Sequence, residues 1–233
     1  MAVLFRATRK RSLATVLSVN VGTARASEHT DVAVTGIDKR PVRRPVEVRA
    51  PARRGIGGSG VVGDAVCDLR HHGGPDQAVY AYAREDLDWW QRELGRPLSN
   101  GVFGENLTTA GIVINDAVIG EHWRVGTAVL EISVPRIPCR TFAGWLDERG
   151  WVKRFTARAV PGSYLRVLRS GVISAGDEIT VLARPDHDVT VGLTFRALTN
   201  EPELLSRLLV ADALPADVHE TARRRSPTPL DLD

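Results

Sequence analysis

Hydrophobic and polar residues alternate with a period of two along several short stretches of the first four fifths of the chain. These stretches are rich in β-branched or aromatic residues and are separated by Gly and Pro, which is typical of strands joined by turns. They read TVLSVNV, VAVTGI, VEVRA, AVYAY, AVLEISV, YLRVL and EITVL. The pattern predicts a mostly β (α+β) fold, with a β domain over residues 15–184.

Helical periodicity is found in one stretch inside this region and dominates after it. In REDLDWWQREL, Leu87, Trp90 and Leu94 fall at i, i+3 and i+7, and Trp89 and Trp90 are interpreted as packing residues. After RPDHD, apolar residues recur at helical spacing in two successive stretches, and ADVHETARRR is consistent with a third short helix. Residues 185–225 are therefore expected to form a three-helix C-terminal extension.

The two ends of the chain carry no regular apolar face. Residues 1–14 are expected to be a flexible extension and residues 226–233 a disordered tail. The start resembles a secretion signal, but Leu17, Val19 and Val21 alternate with polar residues, which favours a strand. No stretch approaches the ~20 apolar residues of a membrane span, so no membrane partner is expected.

Charge and cysteine content narrow the possible functions. The net charge is only +3, but basic residues cluster before Gly55. They indicate either an anionic partner or a solvated surface, and nucleic acid is not expected because aromatic interleaving and a recognition-helix pattern are missing. Cys67 and Cys139 are too few for a disulfide framework or an iron–sulfur cluster. A reducing cytoplasm fits best.

The stretch EISVPRIPCRTFAG is the most suggestive part of the sequence. It places Cys139 between two basic residues, Arg136 and Arg140, and two prolines, Pro135 and Pro138, restrict the backbone there. A thiolate is a soft metal ligand and a nucleophile, and positive neighbours favour its ionised form. The alternative, a buried and inert cysteine, stays open on these residues alone.

Two glycine-containing bends are further candidates. HHGGPDQAVYAY brings two histidines to a Gly-Gly-Pro-Asp turn, and FGENL joins a bend to a carboxylate and an amide. Each could equally be an ordinary turn. Zinc binding by Cys67, His71 and His72 is disfavoured, because adjacent residues of an extended segment point to opposite faces and structural zinc needs four ligands.

Taken in order, HHGGPDQAVYAY, FGENLTT and PRIPCR resemble the MOSC family, whose domains are related to the C-terminal part of molybdenum cofactor sulfurases. The similarity extends from LSVNVG and TGIDKRPV to GDEITVL. The tail resembles the three-helix extension of the bacterial branch that includes the 6-N-hydroxylaminopurine resistance proteins. The resemblance covers about Val16 to Arg225.

This resemblance implies a β-barrel-like domain with short peripheral helices that binds molybdenum cofactor (Mo-molybdopterin), a pterin dithiolene carrying the metal and a phosphate. Cys139 is then the expected protein ligand of molybdenum and a catalytic residue. The phosphate candidates are Lys39, Arg136 and Arg140. The residues expected at the cofactor or substrate mouth are His72, Gly73, Gly74 and Asp76, and those at the pterin edge are Gly104, Glu105 and Asn106.

The implied reaction is reduction of an N-hydroxylated compound, R–NHOH, to R–NH2 and water. His72 is the expected proton source, because histidine titrates near neutral pH. With no iron–sulfur ligands and no glycine fingerprint for flavin or nicotinamide, a separate reductase is the expected electron donor, docked by the helical extension or the basic residues. The family also allows pyridoxal phosphate binding.

The sequence departs from the family pattern at two places, and two other functions are also compatible with it. Val66 and Cys67 follow Gly63-Asp64 where a polar pair is common, and Val134 stands before Pro135 where glutamine is common. The alternatives are a cofactor carrier without turnover, and a sulfur carrier in which Cys139 holds a persulfide.

Overall fold

The computed structural model describes residues 13–225; the expected N-terminal extension, apart from its last two residues, and the expected C-terminal tail lie outside the described residues. The strands are β1 (Thr15–Gly22), β2 (Arg25–Ala26), β3 (Val34–Thr35), β4 (Lys39–Val42), β5 (Val46–Val48), β6 (Val79–Ala83), β7 (Leu107–Ala110), β8 (His122–Val125), β9 (Ala128–Pro135), β10 (Ser163–Arg169), β11 (Gly171–Ile173) and β12 (Ile179–Ala183). The α-helices are α1 (Arg84–Leu94), α2 (Arg140–Leu146), α3 (Trp151–Arg158), α4 (Val191–Leu198) and α5 (Ala216–Arg224). Short 3₁₀ helices cover Pro75–Gln77, Ile114–Asp116 and Pro202–Val210.

The main sheet has eight strands in the order β12-β8-β9-β10-β6-β7-β1-β4. Its neighbouring strands are antiparallel, except for the parallel pair β6 and β7. The sheet curls until the start of β1 meets the residues leading into β12: Val16 N–H donates to Asp177 O over 2.9 Å, and Ile179 N–H donates to Ala14 O over 2.8 Å. This contact closes the sheet for part of its length, as in a barrel. The predicted barrel-like, mostly β fold is confirmed.

The inside of the curved sheet is filled by apolar side chains that alternate along the strands, such as Val16, Leu130 and Leu165. The C-terminal helical segment joins the same cluster through residues such as Leu198 and Val218. It therefore packs directly on the sheet and has no separate core. Its first helix, α4, begins after Thr190, whose Oγ1 accepts a hydrogen bond from Leu193 N–H over 3.1 Å.

A second, aromatic cluster lies under α1, α2 and α3. Trp90 and Trp151 are buried with ring centroids 4.5 Å apart, and Phe103 packs edge-on against Phe142 at 5.1 Å. Trp90 Nε1 donates to the hydroxyl of Tyr82 over 3.1 Å. This cluster anchors α2 and so fixes the position of Cys139, the residue that precedes it. Among residues 13–225, no helix has the length and apolar character needed to cross a membrane.

Candidate functional site

Cys139 lines a cavity of about 110 Å³, here called the cysteine cavity, which is partly open to solvent. Its walls come from four parts of the chain, residues 30–39, 59–77, 104–106 and 136–141, together with Tyr80 of β6 and Tyr164 of β10. Cys139 is a half-buried free thiol that lies between the end of β9 and the start of α2. The sulfur-bearing residue is therefore held at a cavity wall and is not sealed in the apolar core.

Arg136 lines the same cavity near this thiol and is almost fully buried. Its guanidinium carbon lies 4.1 Å from the ring centroid of Phe142 and 5.1 Å from that of Tyr80, and one N–H donates to Phe103 O. Arg136 has no ion-pair partner within the described part of the chain, although burying an unpaired charge is costly. The remaining N–H groups of this guanidinium are available to an anion in the cavity.

Lys39 and Asp64 form a buried ion pair in the same cavity, with Nζ and Oδ1 2.5 Å apart. Asp64 Oδ1 also accepts from Gly22 N–H over 2.8 Å, and Oδ2 accepts from Asn106 Nδ2 over 2.9 Å. Burial lowers the pKa of Lys39, and the charge of Asp64 opposes that effect. The positive charge of Lys39 is thus already balanced by a protein carboxylate.

The Gly101–Asn106 bend is stabilised from inside by Glu105. This buried carboxylate accepts hydrogen bonds from Gly101 N–H over 2.5 Å, Phe103 N–H over 3.0 Å and Thr108 Oγ1 over 2.8 Å, and burial raises its pKa. Gly104 has φ 76°, and a Cβ there would lie 3.2 Å from Arg136 Nη1. The bend therefore shapes the cavity, and Glu105, unlike Gly104 and Asn106, does not line it.

The double-glycine bend contributes another part of the cavity wall. His72 and Gly73 line the cysteine cavity, whereas Gly74 and Asp76 do not. Asp76 instead pairs with Arg166 over 2.6 Å. Gly73 has φ 81°, and a Cβ there would come within 2.8 Å of Gly58 O, so a side chain would push the bend away from the segment it covers.

The expectation that His72 titrates near neutral pH is not met. Burial first, and the charge of Arg136 second, lower the pKa of His72 to about 4. The ring is therefore a neutral imidazole at pH 7, able to donate one hydrogen bond and accept another. It cannot store the extra proton of an imidazolium.

Arg140 is also placed differently from the sequence-based expectation. Its guanidinium faces solvent and pairs with Asp31 over 2.8 Å. The neighbouring Thr141 Oγ1 donates to His29 O over 2.8 Å. These two contacts attach the loop at residues 27–33 to α2, and Thr30 of this loop contributes to the cavity wall. Arg140 thus holds a covering loop and does not line the cavity.

Several lining residues were not anticipated from the sequence as site residues. They include Asp64, Tyr80 and Tyr164, and burial raises the pKa of both phenols, which keeps them protonated. Cys67 also lines the cavity, and burial raises the pKa of its thiol. Across residues 13–225 no group of three or more His, Cys, Asp or Glu side chains could hold a metal ion by itself.

Comparisons with known proteins agree with this architecture. The MOSC domain profile matches residues 68–180, which include His72, Arg136 and Cys139. The uncharacterized protein YflK of Bacillus subtilis is 36% identical over 188 residues, covering 80% of this chain and 81% of YflK. A Gibberella moniliformis protein named "Reductase" is 33% identical over 132 residues, but the match covers only 23% of that longer protein.

Solved structures share the fold over almost the whole chain. The crystal structure of YiiM from Geobacillus stearothermophilus matches with a TM-score of 0.74 and 29% identity, covering 91% of this chain and 98% of that one. YiiM from Escherichia coli superposes with a TM-score of 0.70 at 23% identity, covering 92% of each chain. The profile match, the identity to YflK over most of both chains and the shared fold show that this chain belongs to the MOSC family.

Proposed function

We propose that this protein binds molybdenum cofactor with Cys139 as the protein ligand of the metal, and that it reduces N-hydroxylated compounds with electrons from a separate reductase. The observation that carries the proposal is the pairing of a cavity-facing thiol, Cys139, with a buried arginine, Arg136, that has no carboxylate partner in the described chain. Membership of the MOSC family and a relative named "Reductase" support the reaction class.

The residues present fit the chemistry of this cofactor. A thiolate is a soft ligand suited to a sulfur-rich metal shell, and one protein ligand is enough when the dithiolene supplies further sulfur atoms. Arg136 is the stronger phosphate candidate, because its charge is unpaired while Lys39 is balanced by Asp64. Arg140 could contribute only after releasing Asp31.

The cysteine cavity is too small to hold the whole cofactor. About 110 Å³ is less than the roughly 300–1,000 Å³ of pockets that hold whole drug-sized ligands. A pterin cofactor would therefore need space beyond the cysteine cavity. The loop at residues 27–33 is the boundary we expect to shift, because the two hydrogen bonds that attach it to α2, from Thr141 and Arg140, are both exposed to solvent and so are weak.

The bound cofactor would supply the two-electron chemistry and accept the oxygen that leaves nitrogen. The overall change consumes two electrons and two protons and converts R–NHOH to R–NH2 and H2O. Tyr164 lines the cavity and burial keeps its hydroxyl protonated, so it can donate a hydrogen bond to the leaving oxygen. His72, as a neutral imidazole, can orient the substrate or relay a proton.

The test is metal and pterin analysis of protein expressed in a host that makes the cofactor. Wild type should retain molybdenum and pterin, and Cys139→Ser should lose molybdenum coordination. Cys67→Ser is the matched control, since Cys67 lines the same cavity without a proposed ligand role. Equal molybdenum in wild type and Cys139→Ser would contradict the assignment of the metal ligand.

The same preparations separate the alternatives. Holoprotein supplied with an artificial reductant should reduce an N-hydroxylated substrate. Bound molybdenum without turnover would favour the carrier function. Sulfane sulfur on molybdenum-free protein, lost in Cys139→Ser, would favour a persulfide carrier.

A further inference from the structure

The segment at residues 40–54 carries a concentrated positive charge. It contains six arginines and one glutamate, so it alone holds five net positive charges, more than the +3 of the whole chain. All six arginines are exposed. Two of them are compensated, because Arg40 pairs with Asp38 and Arg54 pairs with Asp217. The other four, here called the arginine surface, form no ion pair with any residue between 13 and 225: Arg43, Arg44, Arg49 and Arg53.

The arginine surface lies beside a segment, residues 57–64, that also contributes to the wall of the cysteine cavity. Arg49 N–H donates to Gly60 O over 2.8 Å. Arg44 Nη2 lies 3.5 Å from the position that a Cβ would occupy at Gly63. The residues of this segment that line the cavity are Ser59 and Asp64. The arginine surface is therefore next to the cavity wall.

An exposed apolar side chain belongs to the same surface. Ile56 is 61% exposed, and its N–H donates to Arg53 O over 3.1 Å, so the two residues share one turn. Protein–protein interfaces combine apolar centres with polar rims and are enriched in arginine, whose guanidinium binds carboxylates through two parallel hydrogen bonds. No aromatic residue occurs over residues 40–64, so the surface offers no side chain on which a nucleic-acid base could stack. These features favour a protein partner that exposes Asp and Glu side chains.

The C-terminal helical segment has the opposite charge balance. Residues 185–225 contain seven Asp and Glu residues and five arginines, so the segment is net negative. Its arginines are also partly neutralised, since Arg196 pairs with Glu201 and Arg224 pairs with Glu220. An acidic partner is therefore repelled by this segment and attracted by the arginine surface.

We propose that the arginine surface is the docking site of the separate electron donor, and that the donor presents an acidic protein face to it. This inference rests on the proposed function for the electron transfer, whereas the binding of an acidic electron carrier is measured without it. Complementary charges raise the association rate and orient the two proteins. Docking here places the donor beside the wall of the cavity that holds Cys139. Each turnover oxidises the donor by two electrons in total, and two protons from solvent complete the reduction of R–NHOH to R–NH2 and H2O.

The experiment uses a reduced flavodoxin, an acidic protein whose FMN carries the electrons, as the probe. Charge reversal at three arginines gives the docking variant: Arg44→Glu, Arg49→Glu and Arg53→Glu. The matched control reverses three exposed cations outside the segment at residues 40–54 that form no ion pair with another described residue: Arg92→Glu, Arg149→Glu and Lys153→Glu. Both variants have the same net charge, so a difference between them reports the position of the charges.

The readout is the rate at which oxidised holoprotein takes electrons from reduced flavodoxin at low ionic strength, followed by flavin absorbance. The second-order rate constant should fall about tenfold or more in the docking variant and stay within about twofold of wild type in the control. Reduced methyl viologen, a small cation, should reduce the two variants at rates within about twofold of each other. Molybdenum content and thermal unfolding midpoints should agree among the three proteins. Equal rate constants for the docking variant and the control would overturn the docking site.

A charge-neutral pair of variants tests the apolar part of the surface. Ile56→Ser should lower the same rate constant about threefold or more, because it removes an apolar side chain from the contact. Val113→Ser is the control, since Val113 is 63% exposed and does not line the cysteine cavity. Equal rate constants for the two serine variants would remove Ile56 from the docking site.

Failure of the proposed function is recognised separately. If holoprotein reduces no N-hydroxylated substrate, the reaction is wrong, and docking is then judged by calorimetry of flavodoxin with metal-free protein at low ionic strength. Binding to wild type and the control that is at least tenfold weaker in the docking variant would still support the site. Absence of binding to wild type, or equal binding to both variants, would overturn it. Binding of duplex DNA or phosphatidylglycerol vesicles that replaces flavodoxin binding, and is lost in the docking variant, would assign the surface to nucleic acid or membrane instead.

Discussion

The ammonium group of Lys39 lies 2.5 Å from Oδ1 of Asp64, and both side chains are buried beside Cys139 in the cysteine cavity. Two further donors, Gly22 N–H and Asn106 Nδ2, bind the same carboxylate. The pair joins β4 to the segment after Gly63, 25 residues away along the chain. The contribution of this ion pair to the stability of the folded protein depends on keeping both charges together, because either charge alone would be buried without compensation.

Removal of Lys39 should therefore be strongly destabilising. We expect Lys39→Met to lower the free energy of unfolding by about 3–5 kcal/mol, since the carboxylate of Asp64 is left buried without a counter-charge. Lys39→Met combined with Asp64→Asn should recover part of that loss, because asparagine is neutral and still accepts from Gly22. Urea unfolding of the four proteins of this double-mutant cycle measures the coupling. Additive effects of the two substitutions would contradict the interpretation.

Arg136 should behave differently, because it contacts aromatic rings and has no carboxylate partner in the described chain. Arg136→Met loses the contacts with Phe142 and Tyr80 but also removes an uncompensated buried charge, and these effects oppose each other. We expect the free energy of unfolding of the cofactor-free variant to change by less than about 2 kcal/mol, whereas its pterin and molybdenum content falls.

The control for Arg136 is Arg158→Met. Arg158 lies over the ring of Trp89, with its guanidinium carbon 4.3 Å from the ring centroid, and does not line the cysteine cavity. This variant loses a comparable cation–π contact and should retain full cofactor content. Normal cofactor content in Arg136→Met, or an equal loss in both variants, would count against a role of Arg136 in phosphate binding.

The sequence predicted those elements whose local pattern and tertiary environment agree. REDLDWWQREL corresponds to α1 without adjustment, because its apolar stripe faces the aromatic cluster and Gly95, with φ 64°, ends the helix. Five of the predicted strand stretches correspond closely to β1, β6, β9, β10 and β12. In VAVTGI only Val34–Thr35 forms a strand, since Ala33 has φ 59° and interrupts the extended backbone.

Elements that depend on distant contacts were missed. The helices α2 and α3 span only seven and eight residues, which is too short for a clear period, and the aromatic cluster stabilises them. β4 contains Pro41 and polar residues and occupies the edge of the sheet, where proline is tolerated.

The candidate site was predictable as a set of motifs but not as a set of contacts. Seven of the expected positions line the cysteine cavity: Lys39, His72, Gly73, Gly104, Asn106, Arg136 and Cys139. The direction taken by Arg140 depends on Asp31, which lies 109 residues away. The burial of His72 and the pairing of Lys39 with Asp64 likewise come from the tertiary fold, and local patterns carry no information about them.

The low pKa of His72 makes stability depend on pH in a defined window. Above about pH 6.5 the ring is neutral in both the folded and unfolded states, so it contributes no pH dependence. As the pH falls from 6.5 to about 4, the unfolded chain takes up a proton that the folded protein excludes, and stability is lost. The full loss, below about pH 4, is at most about 3 kcal/mol.

His72→Asn should remove this component. The difference in free energy of unfolding, wild type minus variant, should therefore decline between pH 7 and pH 4 in urea titrations at each pH. Comparing the two proteins cancels the titration of other groups such as Glu105. A difference that stays constant over this range would show that His72 is not desolvated in the folded state.

Asp86, which does not line the cysteine cavity, provides the opposite pH dependence. Burial raises the pKa of this α1 residue to about 6, and Arg158 opposes that effect. Above pH 6 the carboxylate is ionised in both the folded and the unfolded state, and its desolvation in the folded state lowers the stability of the protein. As the pH falls toward 3.8, the carboxylate of the folded protein is protonated first, and this destabilisation disappears. Asp86→Asn should therefore stabilise the protein by about 1–3 kcal/mol at pH 8 and by much less at pH 4.5. Asp88→Asn on the same helix is the control, because Asp88 is half-exposed and bonded to Arg84, and it should show no such stabilisation. Thermal unfolding of both variants at the two pH values measures the difference.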